Sequence, residues 1–210
     1  MSDPRRRGDP TAGIPGRRLF VAVALPGEAS AAVAAVVDEV RAAGLPPDTH
    51  DVRWVRMDGL HLTLRFLGPT LDDRIPATER AISAAAALGA PIDVELGGAG
   101  SFPVGGRPRT IWIGITVGVE GLARLARTVD EALTEAGWAP DGRPFRAHLT
   151  LARSDGLRAG PLVAGRLAAA MTDRRIPFLV DRLGLYESLT GGGPARYLPV
   201  RVETLGAPRG

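Results

Sequence analysis

The chain has 210 residues, and all 26 of its basic residues are arginine, because Lys is absent; Cys is absent as well. Without Lys there is no Schiff-base enzyme, no phosphate loop ending in Gly-Lys-Ser/Thr and no ligase that carries a nucleotide on lysine; without Cys there is no disulfide framework, thiol nucleophile or thiolate zinc site. The pI of about 10.4 overstates the basicity, since the formal net charge is only +3 and little titrates between neutrality and the arginine range. Affinity for an anionic polymer therefore has to be judged from where the arginines sit.

At 45% hydrophobic and 23% charged residues, the composition is that of a soluble globular chain. Residues 1–17, rich in Pro, Gly, Asp and Arg, hold too little apolar surface to offset the entropy of ordering. They are expected to form a mobile tail, with a shorter one at 206–210 and a single ordered domain over 18–205. Arg5 to Arg7 lead into Gly and Pro rather than an apolar core, so no secretory signal is expected. No apolar run approaches the ~20 residues needed to cross a bilayer. A cytoplasmic location away from membranes is the expectation.

The apolar run 19–25 reads as a buried strand. Residues 28–43 carry Val33, Val36, Val37 and Val40 at helical spacing and end at Gly44, a helix with a glycine stop. Short strands are expected at 52–55 and 60–67, the second closed by Gly68 and Pro69. A helix over 72–88 follows, with Pro76 limiting its start. Strands at 91–96 and 110–117 flank a Gly/Pro-rich loop. The stretch 121–136 is an amphipathic helix, with Leu122, Leu125, Val129 and Leu133 on one face. A strand at 147–152, a helix at 161–171 and strands at 178–186 and 197–202 complete the chain. Interspersed strands and helices give a mixed α and β class, with antiparallel pairing towards the end.

One repeat carries chemistry. His61-Leu62-Thr63-Leu64 recurs as His148-Leu149-Thr150-Leu151, and these two tetrads use two of the three histidines in the chain. Side chains alternate across a strand, so each His and Thr share one face and the two Leu occupy the other. Each segment is then a strand with an apolar side for the core and a His/Thr side for a cleft. Two imidazoles brought together, one neutral and one charged, can accept and donate a proton around pH 7. Such a pair suits in-line displacement at phosphorus, with the Thr63 and Thr150 hydroxyls holding non-bridging oxygens. No closed set of zinc ligands is visible in the sequence, and neither a metal nor a cofactor is expected.

With these tetrads in view, the sequence resembles the RNA 2′,3′-cyclic phosphodiesterase family, also called 2′-5′ RNA ligase, within the two-histidine phosphoesterase superfamily. The likeness runs from Arg18 to Leu198. It includes Arg18-Leu19-Phe20-Val21-Ala22-Val23, the run from His61 to Gly68, Pro108-Arg109-Thr110-Ile111-Trp112, the run from Arg143 to Arg153, and Leu185-Tyr186-Glu187-Ser188. Ala147 departs from the pattern, since the family usually has Pro before the second His; this loosens the entry to the strand and leaves the reactive atoms unchanged. The resemblance implies an α+β fold of two pseudo-two-fold related lobes, a His-x-Thr-x strand in each, and a cleft between them. It also implies hydrolysis of RNA 2′,3′-cyclic phosphate ends to 2′-phosphomonoesters, without metal, by a monomer. Because the tetrads are identical, the residues themselves leave open which His is acid and which base. The resemblance implies His61 as proton donor and His148 as acceptor. The alternatives are ATP-independent 2′-5′ RNA ligation and a non-catalytic RNA- or nucleotide-binding cleft.

Substrate contacts are sought among nearby arginines and aromatics. Arg65 follows His61 by four residues and shares its strand face if no bulge intervenes, which makes it the first candidate for a phosphate contact. Arg143 precedes His148 by five residues, as Arg56 precedes His61. Arg153 falls on the face opposite His148 by strict alternation. Phe66, Tyr186 and Trp54 are candidates to stack a base. His50 sits in a Pro/Asp-rich loop with no role expected, and the glycines at 191–193 read as a hairpin turn rather than a phosphate cradle.

Overall fold

The computed structural model describes residues 15–45, 51–155, 157–191 and 193–206. His50 and most of the expected tails lie outside them. Among the described residues, nine strands and four α-helices follow in the order β1 (Arg17–Ala24), α1 (Gly27–Ala42), β2 (Val52–Trp54), β3 (His61–Thr70), α2 (Ile75–Leu88), β4 (Ile92–Phe102), β5 (Thr110–Val117), α3 (Val119–Glu135), β6 (Leu149–Ser154), α4 (Ala159–Ala170), β7 (Arg175–Val180), β8 (Arg182–Leu189) and β9 (Arg196–Thr204). The fold is α+β.

All nine strands join one antiparallel sheet in the order β7-β4-β5-β6-β3-β1-β8-β9, with β2 paired to the far half of β6. The order is symmetric about its centre. Leaving β2 aside, four strands of that order lie on each side of a seam between β3 and β6, where a single register pair, Leu62 opposite Leu149, joins the lobes. The two tetrads are thus the two sides of that seam.

Alternation decides which face the helices cover. Leu19, Val21 and Val23 of β1, Leu62 and Leu64 of β3, Ile111 and Ile113 of β5, and Leu149 and Leu151 of β6 are buried in one core. Val33, Val36, Val37 and Val40 of α1 and Leu122, Leu125, Val129 and Leu133 of α3 complete it. Burying each such side chain is worth about 1.5–3 kcal/mol. The opposite face of the sheet is left for the His/Thr side. Two helix starts are fixed by specific groups. Gly118 before α3 has φ +88°, and a Cβ there would lie 2.5 Å from the Asp93 carbonyl oxygen, so only glycine fits. Asp51 accepts N–H bonds from Ala159 and Gly160 at the start of α4. Burial works against its ionisation, yet those bonds and the one from Arg158 hold its carboxyl below the ordinary value.

Several expected boundaries shift. β1 begins at Arg17, inside the expected tail, and Leu205 beyond β9 is buried. β3 continues through Gly68, at φ +75°, and Pro69 to Thr70. β4 likewise passes a bulge between Leu96 and Ala99, with Gly98 at φ +63°. Glycine that tolerates a left-handed φ lets a strand continue where it was expected to stop. The single strand expected at 178–186 is two: β7 pairs with β4 and β8 with β1, at opposite ends of the sheet, with Asp181 between them.

Candidate active site

The register at Leu62 and Leu149 sets Thr150 across from His61 and His148 across from Thr63, all four on the face away from the core. Directly opposite residues lie about 5 Å apart at Cβ and diagonal ones about 7–8 Å. The two imidazoles are therefore diagonal neighbours, with a threonine beside each. Each ring is held in the same way. His61 Nδ1 lies 2.7 Å from the Gly59 carbonyl oxygen, and His148 Nδ1 lies 2.7 Å from the Arg146 carbonyl oxygen, in both cases two residues upstream. A carbonyl only accepts, so Nδ1 is the protonated nitrogen in each ring and Nε2 is left facing away from the backbone. Neither threonine hydroxyl has a hydrogen-bond partner among the described residues.

Aromatic rings wall each histidine. Phe20 of β1 lies 4.9 Å from the His61 ring, and Tyr197 of β9 meets it edge-on at 4.8 Å. On the other side Phe102 meets His148 edge-on at 5.1 Å, and Trp112 lies 6.4 Å away. Glycines make room for these rings: a Cβ on Gly100 would lie 2.6 Å from the Trp112 ring and one on Gly184 2.3 Å from that of Tyr186. A pocket of about 280 Å³ opens beside His61, lined by Phe20, Met57, Gly59, Tyr186 and Tyr197. Burial lowers the pKa of His61; the Gly59 carbonyl opposes this, and the charges of Arg153 and His148 add to it. Among the described residues no three His, Asp or Glu are grouped to hold a metal ion.

A bulge decides which candidates reach the cleft. On β3, Thr63 faces Ala22 and Arg65 faces Val21, so Leu64 is an extra residue and alternation reverses after it. Arg65 consequently turns to the helix side, contrary to expectation. It is 7% exposed, pairs with Asp130 and Asp141 at 3.0 and 3.2 Å, and donates to the Ala139 carbonyl. It ties β3 to α3 and to the loop that leads into His148, and it is no part of the cleft. Phe66 turns the other way, opposite Phe20, and is 55% exposed on the His61 side.

The same irregularity occurs in β6. Trp112 faces Thr150 and Ile111 faces Ala152, with Leu151 as the extra residue. Arg153 is thereby returned to the cleft face, where strict alternation would not place it. Its charge also acts on Tyr197, whose pKa is raised by burial and lowered by Arg153. Tyr186 stacks on Phe20 at 5.6 Å and lines the pocket beside His61. Arg143 is 72% exposed and already bound to Asp141 at 3.0 Å, and Arg56 is bound to Asp58. Trp54 packs against the core beneath Arg41. Sequence reasoning missed Phe20, Phe102, Trp112 and Tyr197 around the histidines. Their only signal was apolar or aromatic character in strand segments, which core packing explains equally well.

A family model described as "2'-5' RNA ligase superfamily" matches residues 21–192. The chain belongs to the 2′-5′ RNA ligase superfamily. A relative from Aeropyrum pernix, named RNA 2′,3′-cyclic phosphodiesterase, is 33% identical over 159 residues, covering 75% of this chain and 86% of that protein. One of the same name from Geobacillus stearothermophilus is also 33% identical, over 91% of this chain and 58% of its own length. The crystal structure of E. coli LigT complexed with 3′-AMP matches with a TM-score of 0.68 and 27% identity, covering 91% of this chain and 99% of that one. The matched segment spans both halves of the sheet, and the two tetrads fall where those halves meet.

Proposed function

We propose that the protein hydrolyses RNA 2′,3′-cyclic phosphate ends to 2′-phosphomonoesters by acid–base catalysis with its two histidines. The observation that carries the reading is the matched pair of imidazoles, each tied through Nδ1 to a carbonyl so that its Nε2 is left to exchange a proton. The name of both relatives, RNA 2′,3′-cyclic phosphodiesterase, supports the cyclic phosphate end as the group acted on. His148 Nε2 takes a proton from water as its oxygen attacks phosphorus. The bond from phosphorus to the 3′ oxygen breaks, and His61 Nε2 delivers a proton to that oxygen. The phosphate stays on the 2′ oxygen, and the histidines end with exchanged protonation states that a proton transfer through solvent resets. This direction follows the family resemblance.

Thr63 and Thr150 hydroxyls donate to the non-bridging oxygens as charge builds there. Arg153 adds a positive charge, and Phe66 and Tyr186 on the His61 side supply rings for the terminal nucleoside. Acid catalysis by His61 requires its proton, which burial disfavours in the free protein; the anionic phosphate, bound beside it, favours the charged imidazolium. The test is incubation with an RNA ending in 2′,3′-cyclic phosphate in the presence of chelator. Formation of a 2′-phosphate is expected, and a 3′-phosphate product or an intact cyclic end would refute the reading.

A further inference from the structure

The cleft face carries a second cationic feature beyond the tetrads. The register of β2 on β6 sets Arg53 opposite Arg153, in line with Thr110 of β5. Ile111 and Ala152, the next residues along β5 and β6, are buried in the core, and Trp54 beside Arg53 packs on it. The row Thr110, Arg153, Arg53 therefore faces the cleft. Opposite residues of an antiparallel pair stand about 4.5–5.5 Å apart at Cβ, where like charges repel. No described residue offsets that repulsion. Among the described residues neither guanidinium makes an ion pair or hydrogen bond. The carboxylates that flank them in sequence are committed elsewhere, Asp51 to the start of α4 and Asp155 to the Leu157 N–H.

Two exposed cations held side by side, with no carboxylate between them, form a fork for an anion. Its position identifies the anion. Arg153 follows Thr150 by three residues, one of them absorbed in the bulge, which leaves about 7 Å along the strand at ~3.3 Å per residue. A single nucleotide step of an extended strand spans that distance. We propose that Arg53 and Arg153 together hold a second phosphate of the substrate, the phosphate on the 5′ side of the terminal nucleotide, so that the preferred substrate is an oligoribonucleotide rather than a mononucleotide. The inference rests on the cyclic-phosphate reading above. A phosphate contact fixes the register of the chain without reading its bases, so the preference is for length and not sequence.

The experiment compares three substrates: a nucleoside 2′,3′-cyclic phosphate, the same compound bearing a 5′-phosphate, and a dinucleotide with a 2′,3′-cyclic end. In the wild type, kcat/KM for the second and third is expected to exceed that for the first by about tenfold, the worth of a charge-assisted contact. Arg53→Ala should collapse that ratio towards one, and Arg53→Lys should restore much of it. The log–log salt dependence for the dinucleotide should flatten by about 0.7 in Arg53→Ala. The exposed site and the loss of like-charge repulsion predict a thermal midpoint in Arg53→Ala no lower than the parent's. Equal kcat/KM for all three substrates in the wild type, or a ratio unchanged in Arg53→Ala, overturns the inference and leaves the cyclic phosphodiesterase reading standing. If none of the three is turned over, that reading itself fails, and this inference falls with it.

Discussion

The lobes on either side of the β3/β6 seam carry the same tetrad, the same bulge after the threonine and the same carbonyl behind each imidazole. They part at the next two residues. After the bulge the first position turns to the helices and the second to the cleft. In the His61 lobe these are Arg65 and Phe66; in the His148 lobe they are Ala152 and Arg153. The cation is therefore buried in one lobe and presented in the other, and the ring that replaces it on the His61 side joins Phe20, Tyr186 and Tyr197. On the reading proposed above, the two matched lobes would supply two proton-transfer groups, and the divergence at one cleft-facing position would divide the labour of binding. On the proposed function, the nucleoside lies on the His61 side and phosphate charge is met from the His148 side.

The sharpest way to break this comparison is to remove one imidazole. His61→Ala and His148→Ala should each lower kcat on a cyclic-phosphate substrate by about 10³-fold, within the range for general acid–base groups. The double variant should lose little more than either single one, because the two act as a unit. Near-normal turnover in either single variant would show that the lobes are not chemically equivalent partners.

The two arginines flanking the tetrads should respond in opposite ways. Removing Arg65 leaves Asp130 and Asp141 facing each other without their shared cation. Arg65→Ala should cost roughly 3 kcal/mol of stability, as for other broken buried pairs, read as a lowered denaturant midpoint with KM nearly unchanged in the folded fraction. Arg153→Ala should leave that midpoint in place and lower kcat/KM about tenfold or more. If Arg65→Ala instead raised KM without loss of stability, the reversal of alternation at Leu64 would be wrong. Phe66→Ala is a milder probe. Loss of one stacked ring is worth about 1–3 kcal/mol per base, and it should appear in KM for substrates with a large base.

These contrasts also mark where the sequence was legible. The core faces of α1 and α3 could be read from spacing, as could the strand at Thr110–Val117, because burial imposes strict periods. The His/Thr quartet was legible for the same reason: its four residues precede the bulge, where alternation still holds. Arg65, Phe66 and Arg153 follow it, and a one-residue insertion in the ladder leaves no composition signal when the extra residue is a leucine, as at Leu64 and Leu151. The aromatic walls come from β1, β4, β5 and β9, strands brought to the seam by pairings far apart in the chain. No local pattern could have assigned Phe102 or Tyr197 to a histidine.

The smallest expected effect comes from the surroundings of His61. Burial lowers the His61 pKa, with smaller contributions in the same direction from Arg153 and His148. In a proton-detected titration of the free protein, His61 should therefore titrate below 6.5, the ordinary value, and Arg153→Ala should move it back up. The sign for stability follows from proton uptake. Above 6.5 the imidazole is neutral in both folded and unfolded chains and contributes no pH dependence. As pH falls below 6.5 the unfolded chain binds a proton before the folded one, so stability is lost until the lowered native pKa is passed. Urea midpoints measured from pH 8 down to pH 5 should fall more steeply for the wild type than for His61→Gln. Parallel curves would mean that His61 is as well solvated as in the unfolded chain, and that burial in the His61 lobe does not act on its proton.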